Sequence, residues 1–450
     1  MSRRLFGTDG VRGMAGVEPL TPELALALGR AVASRFRSDE TRPLVTVGKD
    51  PRLSGDMLEA AFCAGLCAAG ADVVRLGVLP TPAVALLTQK LGACAGAMIS
   101  ASHNAFADNG IKLFARDGFK LSDDTELEIE ASLQSGAVQR ARITGAAIGR
   151  IETSHDAGPQ YLAHLRDSVE SDLSLEGLKI VIDAGNGAAS EWGARLFQQL
   201  GARVISLHDH PDGQNINEGC GAVHPASLQA AVIESGAHLG VALDGDADRA
   251  ILVDELGQIR DGDACMALCG EQLLAEGRLS GRQIVATQMS NLGLELFFKE
   301  RGVTLLRTQV GDRYVVETMR AENIPLGGEQ SGHIIFLDHA TTGDGLLTAL
   351  QVARVLMRER TRLSERLRHL ERFPQILLNV HLKERRPLNT LPGVVRTIEQ
   401  AEASLQGNGR VLVRFSGTEP LARVMIEGRD LDQIRHLAQG ILDEIARELA

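Results

Sequence analysis

The chain has 450 residues, 47 Lys+Arg against 58 Asp+Glu for a net charge of −11, and 44% hydrophobic residues. That length calls for several domains and that hydrophobic share excludes general disorder, while the acidic balance and only one Trp, two Tyr and twelve Phe argue against a nucleic-acid partner. No uncharged run reaches the roughly eighteen apolar residues of a membrane span, and no apolar stretch follows Met1-Ser-Arg-Arg4, so neither a membrane partner nor a signal peptide is expected.

Two polar turns come first. Phe6-Gly-Thr-Asp-Gly-Val-Arg12-Gly13 and Gly48-Lys49-Asp50-Pro51-Arg52 could each lend a cation to a site or close on itself as a salt-bridged turn. Residues 44–48 read as a strand, 57–69 as a helix and 70–76 as a second strand, with Gly closing the helix. The same strand–helix–Gly–strand pattern recurs at 179–183, about 190 and 201–207, and again at 283–287, 292–301 and 302–308. Three such units predict three α/β domains of related build. Cys63/Cys67 and Cys265/Cys269 fall at i, i+4 with no Cys-x-x-Cys, which predicts buried free thiols in a reducing, cytoplasmic setting.

Between these units lie loops dense in polar groups. In 97–112, Ser102 is followed by His103, Asn104 and, further on, Lys112. Adjacent Ser and His side chains diverge on an extended backbone, and no nucleophile elbow surrounds them, so a hydrolase triad is excluded. A phosphoryl carrier at Ser102 with donors around it, or an Asx-rich turn, fits the residues. In 239–249 a strand delivers Asp244, Asp246 and Asp248, then Arg249. Carboxylates at i, i+2 and i+4 repel unless a cation joins them, and hard oxygen ligands suit Mg²⁺ or Ca²⁺. An EF-hand is rejected, because Arg249 stands where its Gly is required and residues 250–253 read as a strand. In 326–333, Gly residues flank Glu329, Gln330, Ser331 and His333, a set suited to sugar hydroxyls.

Residues 352–372 carry seven Arg with interleaved Glu and read as a solvated helix. Beyond them, strands at 373–382 and 410–415 and helices at 394–405 and 431–449 predict a smaller α+β domain. Arg414, Ser416, Gly417 and Thr418, with Arg423 nearby, offer a phosphate nest or a capped helix start.

Taken together, residues 6–13, 100–112, 244–249, 328–333 and 414–420 make the chain resemble the α-D-phosphohexomutase superfamily from end to end. Gly328-Glu-Gln-Ser-Gly-His333, Thr341-Thr-Gly-Asp-Gly345 and Val310-Gly-Asp-Arg-Tyr314 look like its glucosamine branch. The resemblance implies four domains around a central cleft: 1–154 with a phosphoserine loop, 155–256 with a Mg²⁺-binding Asp loop, 257–370 with a sugar loop, and 371–450 with a phosphate loop. The first three would be related α/β domains with mixed sheets, the last a smaller α+β domain. It implies interconversion of glucosamine 6-phosphate and glucosamine 1-phosphate, feeding UDP-N-acetylglucosamine and cell-wall precursors, through phosphate on Ser102 and a 1,6-bisphosphate that also serves as priming donor. Phosphoglucomutase/phosphomannomutase activity and a phosphoserine-dependent phosphohydrolase are the alternatives. By the same resemblance, Ser102, Asp244, Asp246 and Asp248 would hold one Mg²⁺ per subunit, and Glu329 and Ser331 the sugar. Arg414, Ser416, Gly417, Thr418 and Arg423 would hold the non-reacting phosphate, and Arg249 the transferring charge. Lys112 or His333 would take the hydroxyl proton, with Arg12, Lys49, His103 and Asn104 in support. A homodimer is left open. Two departures stand out: Ala105 where Pro commonly follows, which predicts a freer Ser102 loop, and Pro51 where Thr is common.

Overall fold

The structure, a computed structural model, describes residues 5–7, 9–37, 42–136, 143–382, 386–415 and 421–449. The chain divides into two compact units, one of Met1–Met289 with Leu305–Arg368 and one of Ser290–Thr304 with His369–Ala450.

In the first unit, β1 (Val11–Met14), β2 (Leu44–Lys49), β3 (Asp72–Val78), β4 (Ala95–Ile99), β5 (Asp108–Ala115) and β6 (Ile151–Thr153) form a sheet in the order β1-β5-β4-β2-β3-β6. Strand β2 runs parallel to β3 and β4, and β5 returns antiparallel beside β4. Helices α1 (Pro22–Phe36), α2 (Gly55–Ala68), α3 (Thr81–Lys90) and α4 (Asp123–Gln134) accompany it. Thr21 caps α1 by accepting the Leu24 N–H, and Pro22 takes the first helical position, where its missing N–H costs nothing. Helices α1 and α2 touch backbone to backbone: a Cβ on Gly29 would lie 2.2 Å from the Phe62 carbonyl, and one on Gly65 2.0 Å from that of Leu26. Leu28, Val32, Leu58, Phe62 and Leu66 of this pair join Val45 and Val47 of β2 in one core.

The arrangement repeats. Strands β7 (Lys179–Asp183), β8 (Arg203–Leu207), β9 (Leu239–Leu243), β10 (Ala250–Asp254) and β11 (Ile259–Arg260) are ordered β11-β10-β9-β7-β8. Strand β7 is parallel to β8 and β9, and β10 is antiparallel to β9. Helices α5 (Ala157–Asp167), α6 (Trp192–Gln199) and α7 (Ala226–Ser235) belong here. A third sheet, of β12 (Gln283–Thr287), β13 (Thr304–Thr308), β14 (Leu326–Gly328) and β15 (Ile334–Phe336), is ordered β13-β12-β14-β15. Its β12/β14 pair is parallel and its β14/β15 pair antiparallel. Each sheet thus carries fourth–third–first–second strand order, with the fourth strand reversed, which bears out the three related α/β domains. The Ser102 loop joins β4 to β5, the Asp loop β9 to β10 and the Glu329–His333 loop β14 to β15, so all three occupy the same third-to-fourth-strand connection.

Helices α8 (Gly262–Ala275), α9 (Leu292–Glu300), α10 (Asp312–Glu322), α11 (Gly345–Glu359) and α12 (Leu363–Arg366) follow. Here the sequence reading needs a correction. The run from 352 is not a solvated helix: its first part is the end of α11, which is buried from Gly345 to Leu356. Arg354 pairs away from its own helix, with Glu170 Oε1 (Nε, 2.9 Å) and Glu276 Oε1 (Nη2, 2.6 Å). Periodicity within the run does not reveal partners so distant in sequence.

In the second unit, β16 (Gln375–His381), β17 (Gly409–Phe415) and β18 (Leu421–Gly428) form a three-stranded antiparallel sheet in the order β16-β18-β17. With α13 (Pro392–Leu405) and α14 (Leu431–Leu449) it makes the smaller α+β domain. Ile434, Ile441, Ile445 and Leu449 of α14 are buried, while Leu431 is exposed. The six cysteines are free, and burial pushes the Cys63 thiol up to about 12.

Candidate active site

Ser102 sits just beyond the end of β4, is 1% exposed and has a left-handed φ of 53°. For a residue with a Cβ that conformation costs about 1–3 kcal/mol, so its surroundings must impose it. Its Oγ donates to Asp244 Oδ2 at 2.6 Å, and its N–H donates to Ser100 Oγ at 2.9 Å. The approach of the Asp loop requires Gly245, whose Cβ would stand 2.6 Å from the Ser102 carbonyl. His103 Nδ1 lies 3.3 Å from Ser102 Oγ and 3.3 Å from Arg249 Nη1. Burial and the Arg249 charge hold the His103 pKa below its usual value, so the ring accepts there as neutral imidazole. Asn104 Nδ2 donates to Asp108 Oδ2 at 2.9 Å, inside the same loop.

Asp244, Asp246 and Asp248 offer oxygens all within 4.8 Å of one another, and all three are buried. Burial, then the Asp248 and Asp246 charges, push the Asp244 carboxyl well above the ordinary range. Asp246 Oδ2 accepts from Thr81 Oγ1 (2.5 Å) and Lys112 Nζ (2.7 Å), and Asp248 Oδ2 from Lys112 Nζ (3.2 Å). Asp246 Oδ1 and Asp248 Oδ1 are buried without a hydrogen-bond partner. Orphaned oxygens on clustered hard carboxylates are what a divalent cation satisfies, so these residues fit Mg²⁺. Burial alone would lower the Lys112 pKa, but Asp246, Asp248 and Asp9 outweigh it and hold the group as an ammonium. Arg249 donates its backbone N–H to Asp244 Oδ1 at 3.2 Å, and Asp248 and Asp244 outweigh burial to raise its pKa further.

The third loop joins the second through the backbone: the Ala250 N–H donates to the Gly332 carbonyl at 3.1 Å, and a Cβ on Gly332 would lie 2.3 Å from the Ala250 carbonyl. Glu329 accepts from the Gly311 N–H (3.2 Å) and from Ser331 Oγ (3.2 Å). His333 is 2% exposed, with Nδ1 3.7 Å from Asp248 Oδ1, and with Nε2 accepting from the Gly343 N–H at 3.0 Å. Lys112 and His333 therefore flank Asp248 on its two different oxygens.

The remaining expected residues are placed unevenly. Arg12 pairs with Asp9, which also binds Lys112 (3.2 Å) and Lys120. Lys49 turns to Asp56 and Glu59 of α2 (2.5 Å each). In the second unit Arg414 and Arg423 stand directly opposite in the β17/β18 register, and burial and the Arg423 charge lower the Arg414 pKa. Facing like charges are unfavourable without an anion between them. Ser416, Gly417 and Thr418 lie outside the described residues. Four contributors escaped the sequence reading as site residues: Asp9, Arg52, Thr81 and Asn217. Asp9 and Arg52 had appeared only as members of the two polar turns. At Ala105, where the want of a proline predicts a freer loop, Arg52 donates to the backbone carbonyl.

Family descriptions of phosphoglucomutase/phosphomannomutase α/β/α domains I, II and III match residues 3–140, 159–257 and 261–373, and that of the C-terminal domain matches 377–444. A phosphoglucosamine mutase of Anaeromyxobacter sp. is 52% identical over 453 residues, covering 100% of this chain and 97% of its own. A solved phosphoglucomutase/phosphomannomutase family protein from Burkholderia thailandensis has a TM-score of 0.80 at 26% identity, covering 98% of this chain and 97% of its own. The N-acetylphosphoglucosamine mutase of Aspergillus fumigatus, solved in complex with GlcNAc-6P and magnesium, has a TM-score of 0.64 at 18% identity over 99% and 96% of the two chains, a likeness of fold alone. With four domain matches in order and a full-length relative above half identity, the chain belongs to the phosphoglucomutase/phosphomannomutase family of the α-D-phosphohexomutase superfamily.

Proposed function

We propose that this chain interconverts glucosamine 6-phosphate and glucosamine 1-phosphate by way of a phosphoserine at Ser102 and a 1,6-bisphosphate intermediate. The observation that carries the chemistry is Ser102 Oγ at 2.6 Å from Asp244, beside the cluster fitted to a metal. Likeness to phosphoglucosamine mutases along the whole chain carries the choice of sugar.

In the first step the sugar O1 attacks the phosphorus on Ser102. The O1–P bond forms as the P–Oγ bond breaks, the O1 proton leaves to a base and Oγ regains one. The bisphosphate then turns over, Ser102 Oγ attacks the 6-phosphate, the O6–P bond breaks and O6 takes the proton. In-line displacement of this kind rests on positioning and charge neutralisation. Mg²⁺ held by Asp244, Asp246 and Asp248 would supply positive charge beside the transferring group. Arg249 adds a fixed cation there, and Asp244 holds the Ser102 proton in the unphosphorylated state. Glu329 and Ser331 hold sugar hydroxyls. Arg414 and Arg423, with Ser416, Gly417 and Thr418, take the phosphate that is not transferred. Lys112 and His333 are the two candidates for taking the sugar-hydroxyl proton; Lys112, held as an ammonium by Asp246, Asp248 and Asp9, must first release a proton of its own to do so. Single-turnover transfer followed against pH in Lys112→Met and His333→Asn separates them, loss of the limb on which the rate rises with pH marking the proton acceptor. A 1,6-bisphosphate primes Ser102.

Intact mass tests the carrier: one added phosphate on the wild type, none on Ser102→Ala, and no turnover by the variant. Specificity is read from kcat/KM on glucosamine, glucose and mannose 6-phosphates. Preference for glucose or mannose would move the assignment to a neighbouring mutase, and net phosphate release would make it a phosphohydrolase.

A further inference from the structure

Arg52 lies in the turn after β2, is 2% exposed and touches none of the groups assigned to the substrate. Its five N–H donors are all committed. Nε donates to Asp50 Oδ2 at 2.9 Å, and both side chains of that pair are fully buried. Nη2 donates to the carbonyls of Ser102 and Asn104 at 2.9 Å each, and Nη1 to those of Asp108 (3.1 Å) and Ala105. A planar fork with five donors can be spent in this way; an ammonium, with three donors on a point charge, cannot. The next domain reaches the same place. Asn217 Nδ2 donates to the Ser102 carbonyl at 2.9 Å and to the Asn104 carbonyl at 3.1 Å. The segment leading to it is tied to the Arg52 turn where the Leu53 N–H donates to the Gly213 carbonyl at 2.9 Å. Ser102 thus has its carbonyl fixed by two donors from two domains, its N–H fixed by Ser100, and its backbone in a region that a residue with a Cβ does not enter unaided.

We propose that Arg52, assisted by Asn217, is a positioning residue for phosphoryl transfer. By gripping the carbonyls around Ser102 it imposes the left-handed turn that aims Oγ at Asp244, without touching sugar or phosphate. The inference rests on the reading of Ser102 as the phosphoryl carrier.

The test uses the full-length protein, phosphorylated at Ser102 with a hexose 1,6-bisphosphate, and follows transfer to glucosamine 6-phosphate in a single turnover. Arg52→Lys keeps the charge and loses the fork. It is expected to slow transfer about 100-fold, the scale on which small misplacements of reacting groups act, while KM for glucosamine 6-phosphate stays within about threefold because the substrate contacts are untouched. Asn217→Ala removes one of the two clamps and is expected to slow transfer about tenfold with the same KM pattern, and it keeps the question answerable if the lysine variant fails to fold. Transfer at the wild-type rate in a folded variant, or a rise in KM with the transfer rate constant unchanged, overturns the inference. Absence of phosphate on wild-type Ser102 would instead remove the reading of the carrier itself, and intact mass distinguishes the two failures.

Discussion

Asp344 caps α11 by accepting the Leu347 N–H at 2.9 Å, and Tyr161 Oη donates to both of its oxygens at 2.9 Å. Burial nonetheless pushes its carboxyl up from 3.8 to about 6. The folded state therefore keeps a proton that the unfolded chain has released between pH 4 and 6. Stability contributed by this group falls as pH rises through that window, by on the order of 3 kcal/mol, and stays low above it. Asparagine caps as well and does not titrate. Urea denaturation of wild type and Asp344→Asn at pH 4 and 7 is expected to show the variant gaining on the wild type as pH rises; a constant difference would contradict this. Gly245 gives a second prediction. A methyl there meets the Ser102 carbonyl at 2.6 Å and Ile216 Cδ1 at 2.7 Å, so Gly245→Ala should displace the serine loop and lower kcat roughly 100-fold. Assays on the folded fraction check it. Site residues of this kind were legible where chemistry is packed into a few consecutive positions, as in Asp244–Asp246–Asp248. Thr81 and Asn217 were not, because an isolated Thr or Asn carries no signal until the fold brings it 165 residues to Asp246 or 115 residues to Ser102.

At the scale of elements, the α1/α2 contact depends on Gly29 and Gly65, where bare backbones meet. Gly65→Ala forces the helices apart and should cost about 1–3 kcal/mol, seen as a lower urea midpoint. The β17/β18 pair makes a different prediction. Arg414 and Arg423 oppose each other in register, so an anion that bridges them relieves repulsion. Phosphate is expected to raise the wild-type melting temperature, and to raise that of Arg414→Gln less; equal shifts would show that the anion binds elsewhere. Strand, helix and Gly boundaries of the three repeats were readable because periodicity and breakers are local. The burial of α11 was not: Arg-rich sequence looks solvent-facing until Glu170 and Glu276, from the segments that follow α5 and α8, neutralise Arg354.

On the scale of the whole molecule, the second compact unit is discontinuous in sequence, because α9 belongs with β16–β18. Glu427, fully buried, explains the attachment. It accepts from Asn291 Nδ2 and the Leu292 N–H at 3.2 Å each, and from Arg410 Nε at 3.0 Å. Removing one partner of a buried charge pair costs about 3–5 kcal/mol, so Glu427→Ala should make this unit unfold at lower urea than the rest, resolved by proteolysis of its segments. A division of labour also follows from the common position of the three third-to-fourth-strand loops. The Ser102 loop brings a hydroxyl, the Asp loop three carboxylates, and the Glu329–His333 loop a mixed set of donors and acceptors. Three copies of one strand arrangement give each loop its own scaffold, pinned at both ends by an antiparallel pair, while Ser102 Oγ on Asp244 and the Ala250 N–H on the Gly332 carbonyl bind the loops to one another, so that a change in one is felt by its neighbour.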